Sequence, residues 1–134
     1  MAGSLGNSGE VYLLDHMFGG DAYTPTLTGY IGLFVSAPAD DSTGYECSGA
    51  AYARASADNT GTTWAAAATG AKWNISGLLY PSATGDWGTV TAIGIFDDAT
   101  AGNMLAWGHL AASKTIASGE AMYFASGTLV ITFD

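Results

Sequence analysis

Apolar positions follow two patterns along this chain, one short and helical, the others alternating. Near the start, Val11, Leu14 and Phe18 share one stripe at helical spacing, with Leu13 and Met17 beside it. Asn7 followed three residues later by Glu10 has the spacing of a capping box, and Gly19-Gly20 supplies a stop. A helix this short is marginal alone in water, so it has to dock on the chain's own sheet or on a neighbouring subunit. Residues 1–20 are therefore a candidate docking segment, with Leu14, Met17 and Phe18 as its contact residues.

Beyond residue 29 the pattern changes to strands and turns. Strands are predicted over 30–37, 51–56, 72–80, 89–96, 104–111, 121–124 and 128–134, bounded by Gly, Pro and Asp clusters. The fourth alternates Val90, Ala92, Gly94 and Phe96 against Ile93 and Ile95. The last sets Leu129, Ile131 and Phe133 against Val130, Thr132 and Asp134. The turn residues Asp97 to Asn103 predict a hairpin between the fourth and fifth. The expected fold is all-β: one domain over 1–134, a β-sandwich or jelly roll of about seven to eight strands with one short N-terminal helix.

Composition sharpens this picture. Gly, Ala, Ser and Thr fill 69 of the 134 positions, and many fall inside predicted strands, where Gly and Ala are ordinarily depleted. Close backbone approach is expected, with Trp64, Trp73, Trp87 and Trp107 supplying volume. The 49% apolar content argues against disorder. Charge excludes more. Three basic residues, Arg54, Lys72 and Lys114, face twelve acidic ones, for a net charge of -9. Such a surface offers no phosphate-binding footprint for nucleic acid and no basic helix for a membrane surface. No apolar run approaches the roughly 20 residues of a membrane span. The first residues carry neither the basic nor the apolar region of a leader, so synthesis and folding in a cytoplasm are expected. The glycosylation pattern Asn74-Ile75-Ser76 is set aside on the same ground.

Candidate chemistry is sparse. Cys47 is the one cysteine, which excludes an internal disulfide framework, and no basic neighbour activates it. His16 and His109 have no partner at metal-ligand spacing, and neither a nucleophile elbow nor a phosphate loop is present. Asp40, Asp41 and Glu46 share one loop, and Asp97 and Asp98 share the hairpin turn. Glycan hydrolysis or a hard cation would call on such acids. Calcium-loop spacing is missing, however, and turn aspartates ordinarily bond their own backbone or face water. No catalytic residue, metal ligand or cofactor is expected. One ligand-contact set stands out, Trp87 with Asp86 and Tyr45, as a loop platform for a sugar. A tryptophan that opens a strand is more often a core plug or an interface anchor, and Trp87 and Trp107 also suit an interface, where tryptophan is enriched.

The order of motifs adds a resemblance. The run from Tyr80 to Asp97, which contains Gly85-Asp86-Trp87-Gly88-Thr89-Val90 and Gly94-Ile95-Phe96-Asp97, is followed by Gly102-Asn103-Met104-Leu105 and by Gly127 to Thr132. Upstream stand Leu14-Asp15-His16-Met17-Phe18-Gly19-Gly20, Tyr30 to Phe34, and Tyr52-Ala53-Arg54. Together these resemble a family of small virion proteins of tailed bacteriophages, often described as tail-fibre proteins. The resemblance implies a non-enzymatic structural role and brings no catalytic residues with it. Its expected setting is the virion exterior, where an acidic, lysine-poor surface fits better than beside packaged DNA. The expected role is an exterior capsid decoration or cement protein that stabilises the shell. A tail-fibre or tail-tip component, or a receptor- or carbohydrate-binding module, is the alternative. Expected partners are further copies of the chain, as a homotrimer, and the major capsid protein or tail proteins.

Overall fold

A computed structural model describes residues 3–132. It has ten strands: β1 Gly3–Leu5, β2 Thr28–Ser36, β3 Tyr45–Glu46, β4 Ala55–Asp58, β5 Ala71–Trp73, β6 Leu78–Leu79, β7 Gly88–Phe96, β8 Met104–Ile116, β9 Tyr123–Phe124 and β10 Val130–Thr132. One helix, α1 Asn7–Leu14, continues into a wide π-helical turn over Asp15–Gly19. The all-β class and the single N-terminal helix are as expected.

Six strands form one antiparallel sheet in the order β1-β8-β7-β2-β3, with β4 also on β2. The outer edge of β2 is shared, since β4 pairs with its first half and β3 with its second. The other four strands make two ribbons, β5 with β10 and β6 with β9. The second layer is thus two short ribbons rather than a second full sheet. Alternation along β2 sends Ile31 and Leu33 into a core under the ribbons, with Tyr80, Phe124 and Leu129. Phe34 goes to the opposite face, with Ala92, Phe96 and Met104.

Several local expectations need correction. Val90 does not share a face with Ala92, because a bulge between them resets the pleat. Val90 therefore enters the ribbon-side core with Ile93, while Ala92 faces the other way. The strand expected over 72–80 is two strands in two different ribbons, β5 and β6, because the chain turns at Asn74. The strand expected over 51–56 begins only at Ala55. Phe133 and Asp134, expected in the last strand, lie outside the described residues, as do Met1 and Ala2 of the docking segment.

The helix start also differs. Gly6, not Asn7, precedes the first turn, no side chain caps it, and the Asn7–Glu10 box does not form. Main-chain bonds fix this corner instead: Gly6 N donates to Leu105 O (3.0 Å) and Asn7 N to Asp40 O (2.8 Å). The expected end is present, with Gly20 left-handed at φ 82°.

Asp40 is held in turn by Trp107, whose indole N–H donates to its Oδ1 at 2.7 Å. Trp107 is half-buried beside the Phe34–Phe96 core. Trp107→Ala is expected to cost about 3 kcal/mol from lost burial and the cavity left behind. A thermal melt checks this, with a fall of roughly 10 °C expected; an unchanged midpoint would mean that the indole contributes no packing.

Candidate functional site

Small residues determine how the helix lies. Gly3, Gly6 and Gly9 all abut the β8 backbone, and a Cβ on Gly9 would overlap the Leu105 carbonyl. Among the residues of α1, Gly9 is the buried one. The helix therefore rests on β8 through glycine, and its large side chains are left elsewhere. Val11, Leu13, Leu14, Met17 and Phe18 stand between 42% and 78% exposed. Of the two surfaces expected for it, the helix rests on the chain's own sheet through Gly9, and the apolar stripe is not the face that does so. Leu14, Met17 and Phe18 sit together on an uncovered surface.

The helix is anchored on its other side. Tyr12 stacks on Tyr23, with ring centroids 4.9 Å apart, and Asn103 Nδ2 donates to the Tyr12 hydroxyl (3.1 Å). Tyr23 N donates to His16 Nδ1 at 3.2 Å. Between the helix and the β5–β10 ribbon runs an apolar groove of about 460 Å³, lined in part by Leu5, Leu13, Ile95, Leu105 and Ile131.

The expected sugar platform does not assemble. Trp87 is 6% exposed, packs edge-on against Tyr52 and donates its indole N–H to Ala50 O (3.0 Å). It is a core plug, one of the readings open to a tryptophan at the start of a strand, and the ligand-platform and interface expectations for it are corrected. Tyr45 is exposed on β3, and Asp86 is exposed and accepts from Ser118 N at 3.0 Å. Neither borders an open face of Trp87. Trp107, also an interface candidate, is occupied by Asp40 as described above.

The acids behave as turn residues. Asp98 Oδ1 accepts from Thr100 N, and Asp97 Oδ1 from Asn103 N. Asp41 Oδ1 accepts from the backbone and hydroxyl of Thr43, and these bonds hold its carboxyl below the usual value. Among the described residues no three His, Cys, Asp or Glu side chains gather as metal ligands, and no helix is long and apolar enough to cross a membrane.

Two polar centres escape sequence reasoning. Arg54 clamps the hairpin turn to β3 through Glu46. Asn74, fully buried, organises the turn that leads into β10. Its burial also removes it as a glycosylation acceptor. Only the Asn-Ile-Ser pattern pointed to Asn74, and for the wrong reason.

Cys47 is buried against the Trp87 carbonyl. Burial first, then the charge of Glu46, pushes its thiol up to about 11. A disulfide thiol reagent at neutral pH is expected to leave the folded protein unlabelled while the denatured chain reacts fully. Rapid native labelling would show that this part of the core opens. The raised value also makes folding stability decline as pH climbs from about 9 towards 11, since the unfolded chain loses the proton first.

A family model described as Podophage GP4 fiber I protein gp80 matches residues 4–132. No curated protein matches the chain.

Proposed function

Because the chain belongs to this podophage fibre family, we propose that it is a non-enzymatic structural subunit of a tail fibre on the virion exterior. The observation that carries this reading is the group of uncovered apolar side chains on the helix, beside a β body that closes its own core. Large apolar side chains grouped on one exposed face mark a contact surface. Such a chain completes its packing only in an assembly, as a fibre subunit does.

The family description favours the tail-fibre alternative over the expected head decoration. An acidic exterior suits both sites equally, so charge does not separate them. Gold-labelled antibody against the chain on intact particles tests the assignment. Label confined to tail appendages is expected. Label spread over the head would restore the decoration role, and absence from particles would remove both.

A further inference from the structure

We infer that a pocket between the turn after β4 and strand β5 is a binding site for a sugar acid, a pyranose ring that carries a carboxylate. The pocket holds about 500 Å³, within the range of small-ligand sites. Lys72 is the one side chain it shares with the apolar groove beside the helix. Main-chain bonds build its walls before any ligand arrives. Trp64 N donates to Thr60 O (3.0 Å), Ala65 N to Trp73 O (2.9 Å) and Ile75 N to Thr63 O (2.8 Å).

Two donors that border this pocket lack a matching acceptor. The Trp64 indole N–H is the one buried side-chain polar atom among the described residues with no hydrogen-bond partner, on a side chain 6% exposed. A buried donor left unpaired is costly, so an acceptor is called for. The second donor is Lys72, whose ammonium donates to Ala65 O at 2.8 Å. Ala65 lines this pocket and not the groove, which puts the charged end on this side. Among the described residues the ammonium meets no carboxylate, although the chain carries twelve acids. Arg54, by contrast, is spent on Glu46 and the hairpin turn. A half-buried cation and an unpaired N–H at one pocket suit an anion with two oxygens. One cation balances a carboxylate, whereas a phosphate brings more charge than this pocket answers.

The rest of the lining selects a hydroxylated ring over a fatty acid. Asn59 spends an amide hydrogen on Thr26 O (2.8 Å), and its Oδ1 accepts nothing among the described residues. The Thr60 and Thr62 hydroxyls share one bond at 2.7 Å, which leaves one hydroxyl proton of the pair to donate. Ala66 and Ile75 supply apolar surface for the C–H face of the ring. A few placed polar groups around such surface are what orient a small ligand.

Titration of the isotope-labelled full chain with glucuronate, followed by NMR at the Trp64 indole N–H, tests the site. The resonance is expected to move saturably, with half-saturation at about 1 mM. Glucose and acetate each hold half of the required chemistry, and both are expected to bind about tenfold more weakly or worse. Trp64→Phe removes the N–H and keeps most of the ring. Lys72→Gln removes the charge and keeps a donor for Ala65 O. Each is expected to weaken glucuronate about tenfold, read at the Gly61 amide, and Lys72→Gln to erase the preference for glucuronate over glucose. Lys72→Gln should also melt as the wild type does, so its loss of binding is separable from any loss of packing in Trp64→Phe. No saturable shift with glucuronate, glucose or acetate binding as tightly as glucuronate, or either variant binding as the wild type does would each overturn the site. None of these outcomes depends on where the antibody label falls on the particle, so the fibre assignment and the pocket can fail separately.

Discussion

Replacing Asn74 with alanine is expected to unfold much of the ribbon layer at temperatures where the wild type is stable. Asn74 has no exposed surface, yet its amide meets three main-chain partners. Nδ2 donates to Ser76 O (2.8 Å) and Ala125 O (2.9 Å), and Oδ1 accepts from Leu129 N (2.9 Å). Its own backbone adds two bonds, donating to Leu129 O at 3.2 Å and accepting from Gly127 N at 2.6 Å. One side chain thus closes the turn after β9 and fixes where β10 begins. Alanine would leave the Leu129 amide and the Ser76 carbonyl without partners, at about 1–3 kcal/mol for each group that stays buried, while Ala125 O keeps the amide and hydroxyl of Thr128. The expected loss is about 4 kcal/mol, which lowers the thermal midpoint by roughly 15 °C. Asn74→Asp keeps the size but replaces two donors with a carboxylate, and its penalty should grow as pH rises past about 4. Urea unfolding of both variants is the check. A midpoint within error of wild type would mean that water replaces the amide, and that the C-terminal turn does not depend on it.

The hairpin between β7 and β8 was legible in the sequence because its cause is local. Asp97 to Asn103 carries turn residues whose carboxylates bond nearby amides, and the flanking strands are long enough to show a pattern. Strands β1 and β3, of three and two residues, show no alternation to read. The helix stripe was legible as apolar, but not the direction it faces. That depends on Gly9 fitting against Leu105, and a close approach of glycine to a distant backbone leaves no periodic trace. Trp87 shows the same limit in reverse. A tryptophan opening a strand suits a core, an interface or a ligand face, and the choice among them rests on Ala50, 37 residues away, which accepts its N–H. The composition called for close packing, which the glycines of the N-terminal segment supply; it gave no basis for choosing head or tail.

Arg54→Met is the second large effect expected, since it strands a carboxylate. The guanidinium of Arg54 meets Glu46 in a two-point contact, Nε to Oε1 and Nη2 to Oε2, both at 2.8 Å. Nη1 donates to Asp98 O (2.8 Å) and Ala101 O (2.9 Å), and the guanidinium carbon lies 3.5 Å from the centre of the Phe96 ring. Tyr52 completes the set: its hydroxyl donates to Glu46 Oε1 and accepts from Leu33 N, both at 2.8 Å. The arginine side chain is 7% exposed and the glutamate 24%. Methionine fills similar space but leaves Glu46 with the Tyr52 hydroxyl alone and the two turn carbonyls without the guanidinium. Removing one partner of a buried pair typically costs about 3–5 kcal/mol, and the partial exposure of Glu46 places this case near 3. Arg54→Lys should rescue little, because an ammonium cannot span both carboxylate oxygens and still reach the turn. Glu46→Gln added to Arg54→Met should recover part of the loss by removing the unpaired charge, making the pair of substitutions less damaging than their sum. Chemical denaturation of the four proteins measures this coupling. Strict additivity would mean that Arg54 acts through Phe96 and the turn carbonyls alone, with Glu46 a bystander.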